Sequence, residues 1–373
     1  MMTLIAEAAA AARPATAHPP RLPALDGLRL ICALAVAGYH FGDSWRLDGV
    51  RPPAHFLPHG APVLIYGFLG VEVFFLISGF VICMSAWGRT VRGFVASRIA
   101  RLYPAFWTGV LLTATVVTAV PLTAGVPVSG VPGLREILVN LTMLPEPLNT
   151  PLVDTVYWTL WIELRFYLVI ACLVASGGLT DRRLRLLGTG WLIAALVLPA
   201  FPGAPLREVV MPDFAPYFIA GMTMFLLRRS PADWRSWALL GGCWLISLQR
   251  ITVRALDLKP GFEVPVWPAL ALITVAYAAL LAVALGLTDR LDWRRLTTAG
   301  ALTYPFYLLH QRIGYSMIRT AHTHTGLPAP VLIAGAVGVL LAAAWLVHRW
   351  VERPLAPVLK RLVLGAGDPR HSK

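Results

Sequence analysis

The chain has 373 residues, of which 57% are hydrophobic and 14% charged, with a formal net charge of +13 and a mean hydropathy of +0.67. Soluble domains carry about 25% charged residues, so the composition excludes an ordinary soluble protein and points to an all-α, polytopic integral membrane bundle. The basic residues fall between apolar runs and form no continuous stripe, which argues for positive-inside topology and against nucleic acid as a partner.

Residues 1–22 are rich in Ala and Pro, place Glu7 in their one apolar patch and lack a basic start. The expectation is a disordered cytoplasmic tail rather than a cleaved signal peptide. Ten apolar runs long enough to span follow, near 25–44, 62–86, 102–122, 157–177, 185–202, 213–228, 234–250, 266–287, 298–318 and 329–350. Alternate connections are crowded with arginine, as at Arg89, Arg92, Arg98 and Arg101, or at Arg182, Arg183 and Arg185. The others are sparse. The positive-inside rule puts the crowded set in the cytoplasm with both termini, giving residues 23–354 as one transmembrane domain and 355–373 as a cytoplasmic tail. The longest outer connection, 123–156, holds a partly apolar piece from Leu134 to Leu144 that reads as re-entrant or interfacial. Cys32, Cys83, Cys172 and Cys243 lie in apolar segments without metal-ligand spacing and read as small buried hydrophobes.

The first run, LDGLRLICALAVAGYHF, places Arg29 and His40 eleven positions apart. Eleven helical steps close to within about 20° of three turns, so both side chains leave one face, about 16 Å apart along the axis. An ionisable side chain inside a span is costly and marks function by default, although an arginine can also snorkel to the surface. The second run, GFLGVEVFFLISGFVI, returns Glu72 to the depth of His40. A carboxylate beside an imidazole fixes its tautomer and makes it a better base. Ser78 and Gly79 follow, between Phe74, Phe75 and Phe80. Arg98 and Arg101 share a helix face and suit either a phosphorylated ligand or lipid headgroups. YWTLWIELRFYL sets Glu163 and Arg165 inside the fourth run, behind Tyr157, Trp158 and Trp161, which fit an aromatic belt. LTYPFYLLHQ adds Tyr304, Pro305 and His310, and HRWVERP closes the tenth run. No HExxH or equivalent set accompanies the histidines, so no metal site is expected.

In this order the stretches resemble the membrane-bound acyltransferase-3 family, bacterial integral-membrane O-acyltransferases. The resemblance runs from Leu25 to Pro354 and is carried by Arg29 with His40, the GVEVFFLISGF block, Arg98-Ile-Ala-Arg101, YWTLWIELRFYL, FAPYFIAGM, LTYPFYLLH and VERP. It implies an enzyme of the cytoplasmic membrane that passes an acyl group, expected to be acetyl, from cytoplasmic acyl-CoA to a hydroxyl. The acceptor would be a surface glycan, a lipid-linked sugar or a small secondary metabolite such as a macrolide. Acyl-CoA would be a co-substrate, with no permanently bound cofactor. By position His40 and Glu72 would be catalytic, Arg29, Arg98 and Arg101 would hold the donor, and Ser78, Glu163, Tyr304 and His310 would face the substrate. The rival class is a proton-coupled transporter, with His40, Glu72 and Glu163 as the relay. It lacks the internal repeat such proteins show.

Overall fold

The computed structural model describes residues 22–258, 262–291 and 293–365, and no strand occurs among them. The expected N-terminal tail and the end of the C-terminal tail lie outside these residues. Each apolar run forms a helix, as a buried or lipid-facing backbone requires when every N–H and C=O must be satisfied locally. The ten are α1 Pro23–Gly42, α2 Leu69–Ala86, α3 Val91–Ala119, α4 Trp158–Ala175, α5 Asp181–Val197, α6 Ala215–Arg229, α7 Trp234–Asp257, α8 Val266–Ala284, α9 Arg294–Thr325 and α10 Ala329–Val347. A further helix, α11, covers Arg353–Leu364, so much of the segment after Pro354 is helical. Among the described residues, seven helical segments are long and apolar enough to cross a membrane. The remaining three runs are less apolar or shorter: α6 has only 15 residues, while α7 and α9 carry several arginines.

Helix ends extend past the apolar runs because charged residues still suit a helix. Thr90 caps α3 by accepting the Gly93 N–H at 3.2 Å, so Arg98 and Arg101 lie inside α3 rather than in a loop.

The bundle is built on two close pairs, α2 with α6 and α1 with α9. In the first pair a Cβ at Gly79 would strike the Phe218 carbonyl, and one at Gly221 would strike the Leu76 carbonyl. Two glycines facing each other therefore let the backbones touch, which is how packing replaces the hydrophobic effect inside a membrane. It also explains why α6, though short, buries every residue from Ala215 to Leu227. In the second pair α9 buries Thr303, His310, Gln311, Arg312 and Ser316. Cys32, Cys83 and Cys243 are buried as expected, but Cys172 is exposed on the outside of α4, where an apolar thiol is compatible with lipid.

The long connection between α3 and α4 is fastened to α9. Arg312 donates to the carbonyls of Val153 at 2.8 Å and Gly130 at 2.7 Å, and its N–H donates to Asp154 at 3.0 Å. Arg319 donates to the carbonyls of Leu47, Ala124 and Arg46. Within the connection a short helix, Leu134–Asn140, lies along α3. Trp107 Nε1 donates to the Leu141 carbonyl and the Tyr103 hydroxyl to the Thr142 carbonyl. Tyr103 precedes the end of α3 by 16 residues, about 24 Å of rise, so the segment runs back along the bundle beside α3.

Candidate functional site

A cavity opens where α1, α2, α3, α4 and α9 converge. Its basic wall is Arg29 from α1 with Arg98 and Arg101 from α3. All three arginines lie within the first eleven residues of their helices. Asp26 lies 3.8 Å from Arg29. Arg101 is ion-paired with Glu352, whose other oxygen meets His348 Nδ1 at 2.7 Å. The guanidinium carbon of Arg98 lies 5.9 Å from the centre of the Tyr167 ring, and its Nε is buried without a hydrogen-bond partner. Its Nη2 donates to Ser97 Oγ at 3.2 Å, and the unpartnered Nε leaves a donor for an anionic ligand such as a phosphate oxygen.

The same cavity carries a carboxylate, Glu163. Ser78 Oγ donates to Glu163 Oε1 at 2.7 Å and the Tyr167 hydroxyl donates to the same oxygen at 2.6 Å. Among the described residues Oε2 takes no hydrogen bond. Tyr304 also lines the cavity, with its hydroxyl buried and unpartnered. Phe74, Phe75, Val71 and Leu160 line it as well. The guanidinium carbon of Arg101 lies 5.9 Å from the centre of the Tyr304 ring, so cations, carboxylate and hydroxyls share one cavity in an apolar frame.

His40 and His310 do not line the cavity but stand beside it. Their ring centres are 5.2 Å apart, and the Tyr307 ring, which does line it, lies 5.4 Å from that of His310. His40 Nδ1 is 3.0 Å from Gln311 Nε2 and 2.9 Å from Ser44 Oγ. The expected pairing of Glu72 with His40 is corrected. Glu72 is buried and ion-paired with Arg254 of α7, whose guanidinium carbon lies 5.0 Å from the centre of the Phe68 ring. A buried carboxylate takes the nearest cation before a neutral imidazole, because only the cation repays its desolvation. Arg165 likewise faces away, holding the Glu208 side chain and carbonyl at 2.6 Å. Tyr157 is buried and donates to the Leu308 carbonyl at 3.2 Å instead of joining an aromatic belt.

Of the nine residues expected to be catalytic, donor-binding or substrate-facing, six share the cavity: Arg29, Arg98, Arg101, Ser78, Glu163 and Tyr304. Sequence reasoning missed Tyr167, Tyr307, Gln311 and Arg254. Tyr167 was within reach, since it follows Glu163 by four residues and so shares its helix face. Tyr307 precedes His310 by three and was within reach on the same ground. Arg254, on a helix distant in sequence, carried no such signal.

Apolar helices enclosing a basic, carboxylate-bearing cavity define a multi-pass membrane protein. The acyltransferase-3 family model, described as an acyltransferase domain, matches residues 22–349, and the chain belongs to that family. It is similar to an acyltransferase, MdmB, of Streptomyces mycarofaciens, 28% identical over 94% of this chain and 97% of that protein. It is also similar to the exopolysaccharide production protein ExoZ of Rhizobium meliloti, 30% identical over 78% of this chain and 89% of that protein. A shorter match, 32% identical over 28% of this chain and 14% of the relative, is to the putative peptidoglycan O-acetyltransferase YrhL of Bacillus subtilis. No solved structure matches significantly.

Proposed function

We propose that the protein transfers an acyl group, acetyl in the first instance, from cytoplasmic acyl-CoA to a hydroxyl of a surface glycan or a small secondary metabolite, working in the cytoplasmic membrane. The observation that carries this reading is the cavity joining Arg29, Arg98 and Arg101 to Glu163, Ser78 and Tyr304. Coenzyme A is polyanionic at its nucleotide end and carries the acyl group on a long neutral arm. The three arginines of the cavity match the first feature, and its apolar lining matches the second. Relatives named for exopolysaccharide production and for peptidoglycan O-acetylation favour a glycan hydroxyl as acceptor.

In this scheme the arginines bind and orient the nucleotide, and the thioester reaches the level of Tyr307. The histidine pair beside Tyr307 handles the proton of the acceptor hydroxyl as its oxygen attacks the acyl carbon. Glu163, with Ser78 and Tyr167 fixing one of its oxygens, keeps the other for a hydroxyl or amide of the incoming substrates. The protein in lipid nanodiscs is expected to bind coenzyme A, and Arg98→Ala to weaken that binding by about ten- to a hundredfold, the range of one to two charge-assisted hydrogen bonds. Calorimetric titration checks this. Unchanged affinity in the variant contradicts the assignment of the basic wall.

A further inference from the structure

The two histidines beside the cavity are held by partners that differ in kind. His310 Nδ1 lies 2.7 Å from the carbonyl oxygen of Tyr307, one turn back on α9. A carbonyl can only accept, so Nδ1 must carry the ring proton. The other nitrogen, Nε2, is then a lone-pair site in the neutral ring. It is buried without a hydrogen-bond partner, in a side chain that is 0% exposed. His40 is held in the opposite sense. The amide of Gln311 turns its oxygen to the Thr155 hydroxyl, which donates to it, and its NH2 to His40 Nδ1. An amide NH2 can only donate, so Nδ1 of His40 is the acceptor and Nε2 bears the proton. Ser44 Oγ is compatible with the same state: it can accept from the Tyr315 hydroxyl, 3.0 Å away, and donate to Nδ1.

We propose that the two rings are locked in opposite tautomers and divide the reaction: His310 Nε2 is the base, His40 Nε2–H is the hydrogen-bond donor to the reacting oxygen, and Gln311 is the positioning residue that sets the second role. This rests on the reading of the protein as an O-acyltransferase that uses an acyl thioester. The acceptor O–H gives its proton to His310 Nε2 as its oxygen bonds to the thioester carbon. The carbonyl oxygen becomes an oxyanion and accepts the N–H of His40. Collapse breaks the C–S bond, and the departing sulfur takes the proton back from His310, leaving an ester and a free thiol. Two adjacent bases would compete for one proton. A base beside a donor does not.

The tautomers can be read without any assay of transfer. In protein labelled with 15N in its histidine rings and held in lipid nanodiscs, magnetic resonance separates proton-bearing ring nitrogens from bare ones, and removal of each histidine in turn assigns the signals. The expected pattern is a bare Nδ1 with a proton-bearing Nε2 for His40, and the reverse for His310. Gln311→Glu is expected to move the His40 proton to Nδ1, because a carboxylate accepts. A His40 with its proton on Nδ1 in the unaltered protein, or a His310 with a bare Nδ1, overturns the proposal. The kinetic arm uses labelled acetyl-CoA and host membranes. His310→Asn and Gln311→Glu are expected to lower kcat by about a hundredfold or more with little change in the KM for the donor. Wild-type turnover in His310→Asn overturns the division of roles and leaves the acyltransferase reading intact. Absence of transfer by the unaltered protein removes that reading and the catalytic roles with it, whatever the ring signals show.

Discussion

Glu72 rests one carboxylate oxygen on Arg254 and leaves the other buried without a partner. Removing the cation while keeping the buried anion costs about 3 kcal/mol or more, whereas removing both charges costs far less. Arg254→Ala is therefore expected to lower the thermal midpoint in detergent clearly, and Glu72→Gln added to it to recover most of the loss. A double variant no better than the single one would contradict a role in pairing. Glu163 differs, because its two donors are hydroxyls beside an open cavity. Tyr167→Phe is expected to leave the fold intact and to weaken acyl transfer, with the KM for the donor rising more than kcat falls. At this scale the sequence showed which side chains matter better than whom they meet. Arg29, Arg98, Arg101 and Glu163 stood out as ionisable groups in apolar surroundings, and they converge on one cavity. The Glu72 pairing was misjudged because equal depth in two helices says nothing about which faces turn toward each other. Gln311 went unweighed because a lone amide at the end of LTYPFYLLHQ has no periodicity to mark it.

Between elements, the contact of α2 with α6 depends on two hydrogens in place of side chains. Gly221→Val is expected to abolish the close approach and to lower folded yield sharply, since the new side chain meets the Leu76 carbonyl and the Phe80 N–H rather than a movable side chain. Gly190→Ala on α5 meets nothing within 4 Å, and should change stability by no more than about 1 kcal/mol, in the favourable direction. Comparing the two melting curves separates packing from helix propensity. The connection clamped by Arg312 makes a second test. Arg312→Ala removes the donors to Val153 and Gly130, and is expected to speed proteolytic cleavage between Val120 and Thr150 in otherwise folded protein. The helices themselves were legible as apolar runs, with ends extended by capping and by arginines that continue the helix. The contact of the Leu134 segment with α3 was not legible, because its partners Tyr103 and Trp107 lie far away in sequence and in an apolar run of their own.

Across the whole molecule, charge asymmetry and the cavity point the same way. The connections dense in arginine flank the helix ends that supply Arg29, Arg98 and Arg101, so the proposed donor site lies toward the positive face. From that asymmetry the positive-inside rule predicts ten spans with both termini in the cytoplasm. A cysteine introduced at Arg89 is expected to resist a membrane-impermeant thiol reagent in intact cells, while one at Gly130 in the outer connection reacts. The reverse pattern would invert the topology and separate the basic wall from cytoplasmic acyl-CoA. The most direct measurement supplies acetyl-CoA labelled in the acetyl group to membranes containing the protein, its His40→Ala variant or neither, together with extract of the native host. Label is expected in a glycan or an extractable small molecule only with the unaltered protein. Equal transfer by the His40→Ala variant, or none by the unaltered protein while its coenzyme A site is filled, would contradict acyl transfer at this site.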